Sequence, residues 1–211
     1  MNKSLPLIYR KLYSYFGPQH WWPAQSRFEV IVGAILTQNT NWCNVEKAID
    51  NLKKRNLLKP DILYILPDRK LSRLIKPAGY YNIKAKRLKN FLKFFIKRYQ
   101  GNISKMAFAS TESLRKELLE VNGIGPETAD SILLYALNKP VFVVDAYTKR
   151  IILRHGLIKE DTNYDKIQEF FTRRLKKDTK LFNEYHALLV KLGKEFCLKK
   201  KPRCSICPIK L

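Results

Sequence analysis

Three stretches of the 211-residue chain carry side chains whose types and spacing could do chemistry. Three of the four cysteines, Cys197, Cys204 and Cys207, crowd into the last fifteen positions. So few cysteines do not make a disulfide scaffold; crowded thiols point to metal or cluster binding in a reducing compartment. The stretch Leu118 to Leu133 reads LLEVNGIGPETADSIL. One helix ends near Val121, Gly123 and Gly125 allow a tight turn with positive φ, and Pro126 suits the first position of a new helix. Backbone N–H groups exposed at such a turn can hold a phosphate oxygen without reading base sequence, although an ordinary αα-corner would look similar. Asp145 follows the apolar run VFVV and precedes an amphipathic segment, the place of a helix N-cap.

The elements that must position these groups are helical. Leu88, Phe91, Leu92, Phe95, Ile96 and Tyr99 keep helical spacing, so one face of that segment belongs to a core. Its other face carries Lys84, Lys86, Arg87, Lys89, Lys93, Lys97 and Arg98. Between Arg69 and Tyr99 there are eleven basic residues and no acidic one, a one-sign face suited to phosphates. Phe28–Leu36 is apolar on nearly every side and reads as a buried helix. Further helical patterns cover Ala129–Leu137, about Tyr164–Leu175, and Phe182–Phe196. Only Val141–Val144 resembles a strand, and one short run makes no sheet, so the fold class is all-α.

Composition narrows the function. With 45% hydrophobic residues the chain can build a real core, which excludes disorder. Lys and Arg number 41 against 18 Asp and Glu, a formal charge of +23. Such an excess calls for a polyanionic partner: nucleic acid first, an anionic membrane surface second. No long apolar run and no signal-like start are present, so an intracellular, cytoplasmic protein is expected.

The motifs together resemble the endonuclease III superfamily of DNA glycosylases, with its helix-hairpin-helix, Gly/Pro-rich loop and aspartate. The hairpin stretch is followed, twenty residues after Gly125, by the aspartate of VVDAYTKRIILRHGL. FEVIVGAILTQNT, GYYNIKAKRL and CLKKKPRCSIC resemble further blocks of that family, in its order, over most of the chain. The arrangement WWP followed by LTQNTNW is similar to the 3-methyladenine glycosylases of the endonuclease III type. The resemblance implies two helical lobes with a DNA cleft between them. One spans about residues 21–133; the other joins residues 1–20 to 134–211.

It also implies roles. Asp145 stands where the family keeps its catalytic aspartate, and a carboxylate suits the oxocarbenium-like charge that forms when an N-glycosidic bond breaks. Glu127 occupies the position of the lysine that forms a Schiff base in strand-cutting members. It cannot form an imine, so a monofunctional glycosylase is expected, with Glu127 complementing the helix dipole. Trp21, Trp22 and Trp42 would hold an extruded alkylated purine, a cation that aromatic faces attract, or they are plain core. Gln38 would fill the gap the base leaves. Gly123, Gly125, Lys84, Lys86 and Arg87 would contact DNA, as would the insert Lys199, Lys200, Lys201 and Arg203. Cys197, Cys204 and Cys207 match three of the four ligands of a 4Fe-4S loop; the fourth would fall at position 213, and zinc is a lesser option. The partner is double-stranded DNA with a damaged base, bound by a monomer. Mismatch thymine or uracil glycosylases, a bifunctional lyase and a non-catalytic DNA-binding protein stay open as alternatives.

Overall fold

A computed structural model describes residues 4–210. Their regular elements are all helices, with no strand among the described residues. Two compact units emerge. One contains residues 24–139; the other joins residues 1–23 to 140–211.

The first unit is built around α2, Arg27–Leu36, in which every residue from Phe28 to Leu36 is buried. Ser26 starts it by accepting the Glu29 backbone N–H at 3.1 Å. Glu29 accepts the Gln25 N–H in return and pairs with Lys53 at 2.6 Å, which accounts for a carboxylate on so apolar a helix. Around α2 pack α3 (Trp42–Lys53), α4 (Pro60–Ile65), α5 (Asp68–Leu74) and the long α6 (Tyr81–Tyr99). Phe95 of α6 stacks with Phe28 and Phe91 at 6.4 and 5.5 Å. Short α7 (Ile103–Phe108) leads to α8 (Thr111–Glu120) and α9 (Pro126–Ser131), and α9 widens into a π-turn at Ile132–Ala136.

One expectation is overturned in α6. Lys84 does not lie on a DNA-facing surface; it is only 1% exposed. Its Nζ donates to Leu36 O at 2.8 Å and to Ala78 O at 2.7 Å. Position 84 is one turn before Leu88 and thus shares the core face, so periodicity and charge conflict there and periodicity wins. Lys89 is likewise drawn in, donating to the Tyr64 and Leu66 carbonyls. Nor is the face purely basic in space, because Glu117 of α8 reaches to 3.7 Å from Arg98 and accepts the Tyr99 hydroxyl at 2.6 Å.

The second unit comprises α1 (Leu5–Phe16), α10 (Ala146–Arg154), α11 (Tyr164–Thr172) and α12 (Thr179–Glu195). Its core is aromatic: Phe142 stacks on Phe171 at 4.0 Å, and Phe182 and Tyr185 meet Phe142 edge-on. The Tyr185 hydroxyl donates to Leu5 O at 2.9 Å, tying the two chain segments of this unit together.

Burial first, and the Arg87 charge second, lower Lys84 from its usual 10.5 to about 8. Between those values the unfolded chain binds more protons than the folded one, so stability rises with pH across that window. Lys84→Met should cost about 1–3 kcal/mol, because Leu36 O and Ala78 O lose their donor. In denaturant melts the advantage of wild type over this variant should grow from pH 8 to pH 10; a shrinking advantage would disprove the assignment.

Candidate active site

In the first unit the hairpin between α8 and α9 is the organising feature. Gly123 has φ +97°, and a Cβ there would lie 2.2 Å from Arg87 Cγ, so glycine is required twice over. Gly125 differs from expectation. It is the extended N-cap of α9 with φ −91°, and a Cβ on it would meet nothing within 4 Å.

Gln38, just past α2, is held against this turn. Its Nε2 donates to Gly123 O at 3.0 Å and to Thr128 Oγ1 at 2.9 Å, and Arg87 donates to its Oε1. Arg87, expected above to contact DNA, is half-buried here and bridges α6 to both Gln38 and the turn. Behind the hairpin, Arg115 grips the buried Asp130 with two hydrogen bonds of 2.8 and 3.2 Å. Glu127 is exposed in the first turn of α9, and Lys86 is exposed on α6. Trp42, half-buried at the start of α3, donates from Nε1 to Glu46 at 2.6 Å.

In the second unit Asp145 caps α10, its Oδ1 accepting the Thr148 N–H at 2.7 Å. The carboxylate side chain is only 12% exposed, and His186 Nε2 of α12 lies 3.7 Å away. Burial by itself would raise this carboxyl; the imidazole and the Thr148 groups outweigh it and hold it below the usual carboxylate range. Sequence reasoning missed His186, a single histidine inside an apolar helical run. Trp21 and Trp22 meet edge-on with ring centroids 5.3 Å apart.

Cys197, Cys204 and Cys207 line one cavity of about 520 Å³ together with Arg154, His155 and Arg203. Arg154 donates to Cys197 Sγ at 3.4 Å and to the Leu198 and Lys199 carbonyls, while Arg150 donates to Cys197 O and Gly193 O. Burial pushes the Cys207 thiol up, and the neighbouring Cys197 and Cys204 add to that. Among the described residues no three His, Cys, Asp or Glu side chains converge as they would on one metal ion. Three soft sulfur donors around a roomy, basic-rimmed cavity suit a group larger than a single ion that is negative once its thiolates are counted, as a thiolate-bound iron–sulfur cluster is. Lys199, Lys200, Lys201 and Arg203 are exposed on the loop between the first two cysteines.

Residues 32–177 match the HhH-GPD superfamily of base excision DNA repair proteins. The chain belongs to that superfamily. It is 55% identical over 205 residues to a protein of Methanocaldococcus jannaschii whose name places it among the DNA repair glycosylases, covering 96% of this chain and 92% of that one. Among solved structures, the H. pylori 3-methyladenine DNA glycosylase bound to 1,N6-ethenoadenine superposes with a TM-score of 0.78 at 30% identity, covering 90% of this chain and 96% of the other. A non-covalent endonuclease III–DNA complex gives a TM-score of 0.82 at 20% identity, covering 96% of this chain and 90% of that one, a likeness of fold.

Gly123→Ala should destabilise the protein by about 1–3 kcal/mol, the cost of forcing a side chain into that backbone region. A double-mutant cycle of Arg87→Ala with Gln38→Ala should give a coupling of about 0.5–3 kcal/mol in unfolding free energy. Additivity of the two would remove Arg87 from the network.

Proposed function

We propose that this HhH-GPD protein is a monofunctional DNA N-glycosylase that releases damaged bases, alkylated purines above all, from duplex DNA. The observation that carries the reading is a buried Asp145 at the N-terminus of α10, in a chain whose Schiff-base position is Glu127. The 30% identity to a 3-methyladenine glycosylase over nine-tenths of the chain supports the substrate class.

The chemistry follows from the chain's own groups. The exposed turn at Gly123–Gly125 and the basic residues Lys86, Lys199, Lys200, Lys201 and Arg203 engage phosphates. An extruded purine carrying positive charge is drawn to tryptophan faces, which Trp21, Trp22 and Trp42 provide. Gln38 enters the vacated space, exchanging its bonds to Gly123 and Thr128 for bonds to DNA. As the C1′–N bond breaks, the Asp145 carboxylate stabilises the positive sugar and takes a proton from the attacking water. The water's hydroxyl ends on C1′, and the base leaves with the bonding electrons. An N-alkylated purine needs little acid assistance, because it departs as a neutral molecule. Glu127 offers no amine, so the strand is left intact.

Cys197, Cys204 and Cys207 would hold a 4Fe-4S cluster, with Arg150 and Arg154 fixing the loop. Bound there, the cluster supplies a rigid anchor that presents the exposed lysines. We place the protein in the reducing cytoplasm, on chromosomal DNA, as a monomer.

A base-release screen over alkylated, deaminated and mismatched duplexes tests the substrate class; release confined to mismatched thymine or uracil would overturn it. Asp145→Asn should abolish release while abasic-analogue binding stays within about tenfold. Borohydride should trap no covalent complex with wild-type protein, and an efficient adduct would overturn the monofunctional reading. Alanine at Trp22 or Trp42 should remove about 1–3 kcal/mol of stacking, roughly a 5- to 150-fold loss on 3-methyladenine substrates. Melting temperatures measured alongside separate this from a loss of core packing.

A further inference from the structure

The two oxygens of Asp145 have different surroundings. Oδ1 accepts the Thr148 N–H at 2.7 Å and is also the oxygen that faces His186 Nε2, 3.7 Å away. A carboxylate torsion is soft and nearly two-fold, so a cap alone leaves either oxygen free to take the inner place. An imidazole on the same side, at ion-pair rather than hydrogen-bond distance, biases that symmetry toward one oxygen.

The placement of His186 is built into the packing of α10 on α12. The helices approach so closely at Gly193 that a Cβ there would sit 2.4 Å from Tyr147 Cδ1. His186 lies two turns earlier on α12, with its side chain only 7% exposed. The residues around it on that helix, Tyr185, Ala187, Leu188, Leu189 and Val190, are all buried. An ionisable ring kept among them is costly unless it meets a polar partner, and the carboxylate of Asp145 is such a partner.

We infer that His186 is a positioning residue: its Nε2 fixes Oδ1 of Asp145 on the protein side, so that Oδ2 is the oxygen presented to the sugar and the attacking water. The inference rests on the reading of Asp145 as the glycosylase carboxylate. It adds no proton-transfer step, because the proton taken from water goes to Oδ2 and the imidazole keeps its own.

The test uses the full-length protein with a dimethyl sulfate-treated duplex for single-turnover base release, and a tetrahydrofuran abasic duplex for binding. His186→Leu should slow release at least 30-fold, with abasic-site affinity within about threefold. His186→Gln, whose amide nitrogen reaches as far from the backbone as Nε2 does, should recover the rate to within about fivefold of wild type. A folded Leu variant that releases bases at the wild-type rate overturns the inference. So do Leu and Gln variants that lose rate, affinity and melting temperature together, since that describes packing alone.

Should the Leu variant not fold, a second measurement decides on the native fold. The chain has three histidines, so the His186 imidazole nitrogen resonances can be assigned in wild type and in Asp145→Asn. Loss of the carboxylate should move the Nε2 signal, and an unchanged signal overturns the inference. Asp145→Asn with a wild-type release rate would overturn the reading of Asp145 itself, a result separate from the response of His186.

Discussion

The end of a wholly buried helix is the constraint from which the first unit is assembled. Nine consecutive residues of α2 are out of water, so the carbonyls at its C-terminus have none to turn to. Lys84 reaches in from α6 to answer Leu36 O, and joins it to Ala78 O in the turn that precedes α6. One ammonium thereby fixes where α2 stops. Gln38 begins two residues later, already aligned with Gly123 and Thr128. The position of a side chain at the hairpin is thus set by a buried charge that never faces it.

The second unit solves a different problem, how to keep a carboxylate ionised while nearly sealing it from solvent. A helix N-terminus supplies both a hydrogen-bond donor and a favourable dipole, and Asp145 uses the position for that reason. Capping and chemistry are compatible because a carboxylate has two oxygens, and the cap occupies only one. The aromatic cluster of Phe142, Phe171, Phe182 and Tyr185 fixes the buried Val141–Val144 segment that delivers Asp145 to this place.

The helices were legible because their apolar spacing is strong: α2, α6 and α12 lie where periodicity puts them. The cap at Asp145 was legible too, as an aspartate between an apolar run and an amphipathic one. Residues that act by contact across sequence distance were not. Lys84 reads as one cation among many unless its spacing to Leu88 is weighed above its charge. Arg87 and Gln38 are 49 positions apart, and nothing local marks them as partners. His186 lies 41 positions beyond Asp145 in a run that spells an ordinary core helix. Gly125 shows the reverse error, a glycine read as conformationally necessary where the backbone is extended.

The bond between the Tyr185 hydroxyl and Leu5 O joins residues 180 positions apart. During synthesis α1 emerges first, whereas α12, on which it packs, leaves the ribosome last of the long helices. Residues 24–139 form a continuous stretch, complete on the nascent chain before α10, α11 and α12 are made. The hairpin is therefore available on the nascent chain well before the aspartate's surroundings exist. A ribosome stalled before Tyr185 would carry a chain whose α1 lacks its α12 contacts, leaving its apolar face (Leu5, Ile8 and Leu12) open to chaperones.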